Sequence, residues 1–152
     1  MKKIYLSVVC LLISIPLIAQ LYVEPEKEVE CSVFLAKEGR GRAQQGLEMW
    51  DDYIFSCEDG GHVNIYDFKS ADPKPVAGFE LASSHPDNHV NNVCFGVETK
   101  RGASFPLLYI TNGKVGSELE WLCFVESITR RGKRFSSEIA QTIELDGSKW
   151  AE

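Results

Sequence analysis

Apolar positions along the chain follow two patterns. The first is one block, Ile4 to Ile15, broken only by small or amphipathic residues and preceded by Lys2 and Lys3. The second is a downstream series of short runs, "DYIFSC", "HVNIYDF" and "VAGFEL", rich in β-branched and aromatic residues and divided by "EDGG" and "SADPKP". Period-two alternation in runs this short predicts strands buried on one face, with glycine, proline and aspartate marking the turns. Asp59-Gly60-Gly61 supplies the positive φ angles of a tight hairpin. The order then returns as "HVNNVCFG", "PLLYIT", "EWLCFVESI" and "IAQTIEL".

Phe55 aligns with Tyr109 at an offset of 54, Leu81 with Leu145 at 64, and Leu47 with Val93 at 46. The spread follows from the longer loops of the second copy, "ETKRGASF", "NGKVGSEL" and "TRRGKRFSS". Both copies close alike, on Phe79-Glu80-Leu81 and Ile143-Glu144-Leu145. Two units of four strands at this period predict two propeller blades. The alternative is a pair of unrelated meanders in an ordinary antiparallel sheet.

"QQGLEMWDDYIFSCEDGGHVNIYDF" resembles the opening blade of secreted β-propellers of the broad YVTN/WD40-like class, which begin on a Gln-Gly pair and finish on "xVxIYD". Gln45-Gly46-Leu47 is also similar to the "QGL" of glutaminyl cyclase-type propellers. The resemblance runs from Arg42 to Leu145 and implies an all-β fold, a partial β-propeller of about two four-stranded blades. A closed propeller needs at least four blades, so two leave flanks that a neighbour would normally cover. A fragment of a larger ring is the expectation, and self-association of several copies through an exposed blade face is the second. "ECSVFLA" (Glu30 to Ala36) reads as a stray strand that would complete the last blade of a ring, and the tail "DGSKWAE" as the start of another.

The N-terminal block, with Pro16 and a peptidase position after Ala19, has the form of a signal peptide over residues 1–20. It falls well short of the roughly 20 apolar residues that span a bilayer. The only expected membrane contact is this segment if it stays uncleaved. Residues 21–28 form a charged tether and 29–152 the partial propeller. The expected location is the periplasm, cell envelope or exterior of a Gram-negative-type bacterium. Without residues 1–20 the chain carries 14 basic and 22 acidic side chains, a formal charge of −8. That sign repels phosphate backbones and argues against nucleic acid as a partner. The basic cluster "TRRGKRF", Thr129 to Phe135, reads as a solvated hairpin tip, with an anion-binding patch as the alternative.

Cys31, Cys57, Cys94 and Cys123 remain after cleavage. An even number in an exported chain invites disulfides, whereas the apolar runs around the last three predict buried free thiols; the sequence leaves the pairing open. No CxxC or paired Cys/His spacing predicts a metal site, and no cofactor is implied. Trp50, Trp121 and Trp150, with phenylalanines and tyrosines, are expected to supply most of the core volume.

The segment "SSHPDNHVNNVCFG" (83–96) concentrates polar side chains in the link between the two units. His85, Asp87, His89, Asn91 and Asn92 are the candidate ligand-binding residues, with a glycan or protein as the expected partner. Their other role is turn capping, for which Asn and Asp suit equally. Catalysis needs an activated nucleophile or a poised acid and base, and no such constellation is legible. The cyclase-type resemblance directs attention to Glu48, Trp50 and Glu58, without assigning any of them a role. A calcium site at Asp51-Asp52 lacks the DxDxDG-like spacing.

Overall fold

The computed structural model describes residues 43–72 and 74–146, and every regular element among them is a β-strand. In chain order these are β1 (Gln44–Trp50), β2 (Tyr53–Glu58), β3 (His62–Asp67), β4 (Ala77–Glu80), β5 (Asn92–Phe95), β6 (Leu108–Thr111), β7 (Leu122–Arg131) and β8 (Arg134–Glu144). They form two four-stranded antiparallel meanders, β1-β2-β3-β4 and β5-β6-β7-β8. The expected stray strand at Glu30 to Ala36 and the tail beyond Asp146 lie outside the described residues.

The meanders form because consecutive runs pair through short connections. Asp51, at φ 51°, turns β1 into β2 through the left-handed region that aspartate tolerates. Gly60 and Gly61, at φ 84° and 95°, turn β2 into β3. The two copies also end alike: Leu81 N donates to Gly61 O at 2.8 Å, and Leu145 N donates to Trp121 O at 2.7 Å. Each bond joins the residue after a fourth strand to the residue before the third, so the shared Glu-Leu endings occupy one structural position.

The sheets stack face to face with β1 against β5 and β4 against β8. Phe55, Cys57, Val63, Ile65 and Phe79 of the first sheet meet Leu108, Ile110, Phe124, Ile128 and Phe135 of the second. Phe105, from the β5–β6 connection, enters the same core. Phe55 lies edge-on to Phe95 and Phe105, at 5.0 and 5.2 Å between ring centroids. On the opposite face of the first sheet Leu47 and Met49 are exposed, whereas Ile54 and Tyr66 are buried.

Three expectations need correction. The tryptophans do not fill the core: Trp50 and Trp121 are partly exposed, at 38% and 47%, and Trp150 lies outside the described residues. Trp50 ends an edge strand and Trp121 precedes β7, so neither reaches the middle of a sheet. "TRRGKRFSS" is no long loop; β7 runs to Arg131 and β8 begins at Arg134, leaving a two-residue turn with Gly132 at φ 65°. Cys94 is exposed, because on the short strand β5 Val93 and Phe95 take the two positions that pack on the core.

Cys57, Cys94 and Cys123 are all free thiols; Cys31 lies outside the described residues. Burial, with added repulsion from Glu126 and Glu48, pushes the Cys57 thiol up to about 12. Burial likewise raises Cys123. An unfolded thiol releases its proton near its ordinary value while folded Cys57 keeps it, so this thiol's contribution to stability is full below that value and declines as pH climbs toward 12. Alkylation of the native chain at neutral pH is expected to label Cys94 and spare Cys57 until the chain is unfolded, as peptide mass spectrometry would show.

The inner strands approach closely at Gly46, next to a register shift between Gln44 and Gly46. A Cβ there would lie 2.7 Å from Val90 O and 2.9 Å from Val93 Cγ2. Gly46→Ala must therefore push β1 away from β5. A loss of about 1–3 kcal/mol is expected from such overpacking, measured by urea denaturation.

Candidate functional site

The link between the sheets, residues 81–91, is built around Asn88, which is fully buried. Its Nδ2 donates to Ser83 O at 2.9 Å and Ser83 Oγ at 3.2 Å, and its Oδ1 accepts from Val90 N at 3.1 Å. Its carbonyl accepts from Gly60 N at 2.7 Å, joining the link to the β2–β3 turn. This closed loop holds Val90 at φ 46°, a left-handed conformation that a β-branched residue adopts only when its surroundings impose it. Sequence reasoning passed over Asn88 in favour of its neighbours. The legible signal was the preference of asparagine for bonding its own turn.

With the link fixed, its polar side chains meet the β6–β7 connection and the β2–β3 turn. Asp87 forms an ion pair with Lys114. The hydrogen bond and charge of the Lys114 ammonium hold the Asp87 carboxyl below the usual aspartate range, and burial opposes this. The contribution of Asp87 to stability is accordingly present above its unfolded value and lost as pH falls through the folded one.

His85 Nδ1 accepts from Asp87 N at 3.1 Å, which leaves Nε2 to carry the proton, 3.7 Å from Glu118 Oε1. His89 Nδ1 stands 4.0 Å from Asp59 Oδ1, and its backbone N donates to Asn112 Oδ1 at 3.0 Å. Asn91 packs against Gly113, where a Cβ would collide with its amide, and its Oδ1 is buried without a hydrogen-bond donor among the described residues.

His85, Asp87, His89 and Asn91 thus share one end of the molecule. Asn92 does not belong to the cluster in the same way; it is exposed within β5 and pairs with Thr111. Lys114, Glu118 and Asp59 complete the surface, above the buried Asn112. None was singled out from sequence, because their approach depends on loops 20 or more positions away folding onto the link.

The serines of "SSHPD" order the link: Ser84 Oγ donates to Gly60 O at 2.6 Å, and Ser83 Oγ accepts from Asn88 Nδ2 at 3.2 Å. Glu48 accepts from Met49 N at 2.9 Å and Phe95 N at 3.3 Å, on the face turned toward the second sheet. Glu58 is buried on the other face, with Oε1 accepting from Asn64 Nδ2 at 2.8 Å. Trp50 stacks edge-on against Phe95 at 5.8 Å. Glu48 and Trp50 both meet Phe95 on one face of the first sheet, whereas Glu58 lies on the other, so the three form no common site.

Two cavities lie at the other end. One, of about 840 Å³, runs along the β7–β8 hairpin. The other, of about 400 Å³, sits between Asp51, Tyr53 and Phe105, beside Arg130, whose guanidinium lies 4.9 Å over the Tyr53 ring. Among the described residues no group of three or more His, Cys, Asp or Glu is arranged to hold a metal ion.

An all-β chain of two stacked four-stranded meanders, with a polar cluster on its inter-sheet link, is the class that fold and site define. No family model matches the chain, and no curated protein matches it. A solved structure described as "KlHsv2 with loop 6CD replaced by a Gly-Ser linker" is similar to it, with 11% identity and a TM-score of 0.43. That match covers 68% of this chain, which spans about a third (31%) of the solved one.

Proposed function

We propose that the chain is a non-enzymatic binding or scaffold module of the exported propeller type, whose ligand is an uncharged, hydroxyl-rich molecule such as a glycan. The observation that carries this reading is Asn91 Oδ1, a buried acceptor with no donor among the described residues, beside His89 and the Asp87–Lys114 pair. A buried polar atom left unpaired is costly, and a ligand hydroxyl would satisfy it. Asp87 and Lys114 neutralise each other beside it, and the site offers oriented donors and acceptors to a hydroxyl-rich ligand. Export rests on the form of residues 1–20, and a mature N-terminus at Gln20 in the envelope or medium would support it.

The test is a titration of the full chain with a panel of neutral oligosaccharides, followed by calorimetry or glycan array. His89→Ala and Asn91→Ala should each weaken the best ligand by about tenfold, the equivalent of one lost polar contact. Failure of every glycan to bind, or indifference of the affinity to both variants, would sink the proposal.

A further inference from the structure

The long hairpin of β7 and β8 carries a face that neither the core nor the inter-sheet link uses. On it the cross-strand pairs are Ser127 with Glu138, Thr129 with Ser136, and Arg131 with Arg134. All six line the cavity of about 840 Å³. Glu138 is already neutralised, since its Oε1 accepts from Lys100 Nζ at 2.8 Å. Arg130 alternates to the opposite face, where it covers Tyr53 and Phe135 and donates to Gly132 O at 2.9 Å. Arg131 and Arg134 have no carboxylate partner among the described residues, in a chain of formal charge −6.

Like charges directly opposite one another on adjacent strands are destabilising. The two-residue turn at Gly132 forces this pairing, because Arg131 and Arg134 are its flanking residues. The arrangement becomes favourable when both guanidinium groups share one anion, which each can grip through two parallel N–H donors. Thr129 and Ser136, the next pair on the same face, add hydroxyl donors to the lining of the same cavity.

From this juxtaposition of paired arginines, paired hydroxyls and a cavity, we infer that the β7–β8 hairpin binds a tetrahedral oxyanion, a phosphate or sulfate group, either free or as a monoester. The basic cluster is the solvated hairpin tip expected from sequence, with Arg131, Gly132, Lys133 and Arg134 all exposed, and the cavity opens along its strands. The site is separate from the one proposed for a neutral ligand, and the two stand or fall independently.

The test titrates the full chain with inorganic phosphate, inorganic sulfate and glycerol phosphate at constant ionic strength, with chloride as the control and ¹H–¹⁵N shifts as the readout. The amides of Thr129, Arg131, Arg134 and Ser136 should move together and saturate. The doubly substituted Arg131→Gln/Arg134→Gln chain should bind at least about tenfold more weakly, while Lys133→Gln should match the parent. Stronger binding of glycerol phosphate than of either inorganic ion would identify an ester as the source, and the reverse order a free ion; both orders support the site. Phosphate should raise the melting temperature of the parent but not of the double variant, which should itself fold at least as stably because the repulsion is gone. Equal affinity in the double variant, shifts centred elsewhere, or an equal response to chloride would overturn the inference.

Discussion

Phe55→Ala is expected to lower stability by about 3–5 kcal/mol, the range for emptying a buried phenylalanine site. Phe55 is fully buried and touches rings from three separate segments: Phe95 of β5, Phe105 of the following connection, and Phe135 of β8 at 6.4 Å. Aromatic pairs add about 0.5–1.5 kcal/mol beyond the area they bury, and all three would be lost together. These contacts are what join the two sheets, so the substitution strikes the interface between them. Small domains hold only about 5–15 kcal/mol in total, so the variant should be marginal at 37 °C, with its near-ultraviolet dichroism reduced. Phe68→Ala is the control; that ring is 43% exposed and its loss should stay within about 0.5 kcal/mol. Equal urea midpoints for the two variants would contradict the packing described above.

The second large effect is expected at Glu126. Its carboxylate is fully buried on β7 and ties that strand to the inter-sheet link: Oε1 accepts from Ser83 N at 2.8 Å and Oε2 from Ala82 N at 3.0 Å. Among the described residues no lysine or arginine forms an ion pair with it. Glu126→Ala would leave Ala82 N with Ser137 Oγ, 2.8 Å away, but Ser83 N with no acceptor. A hydrogen bond to a charged acceptor is worth about 1.5–3 kcal/mol, and the vacated volume adds to the loss. The melting temperature should fall by roughly 10 °C or more. Glu126→Gln preserves the shape and one acceptor and should lose about half as much. Amide exchange supplies the specific readout: Ser83 and Asn88 should exchange faster in Glu126→Ala while the amides of β2 and β3 change little. Uniform acceleration across both sheets would mean that the carboxylate supports the whole fold and not the link.

The strands were legible because their signal is local. Alternation in "YIFSC" and "HVNIY" needs only neighbouring residues, and the paired glycines at 60 and 61 announce their turn by backbone conformation alone. The repeat was legible for the same reason, down to the matching Glu-Leu endings. At the candidate site, "HPDNH" announced polar density, but its ordering residue, Asn88, looked like any other asparagine in a turn. Its importance comes from burial, which depends on Gly60 reaching it from 28 positions earlier.

What the sequence determined by itself is the succession of eight strands, their turns, and their grouping into two similar units. Only the tertiary structure decided which face of each strand meets the other sheet, and with it three outcomes: phenylalanines rather than tryptophans filling the core, Cys94 lying outside, and Glu126 holding the link. The physical reason is range. Strand and turn propensities act within a few residues, whereas burial is settled by contacts between β1 and β5, and between β4 and β8, that are dozens of residues apart along the chain.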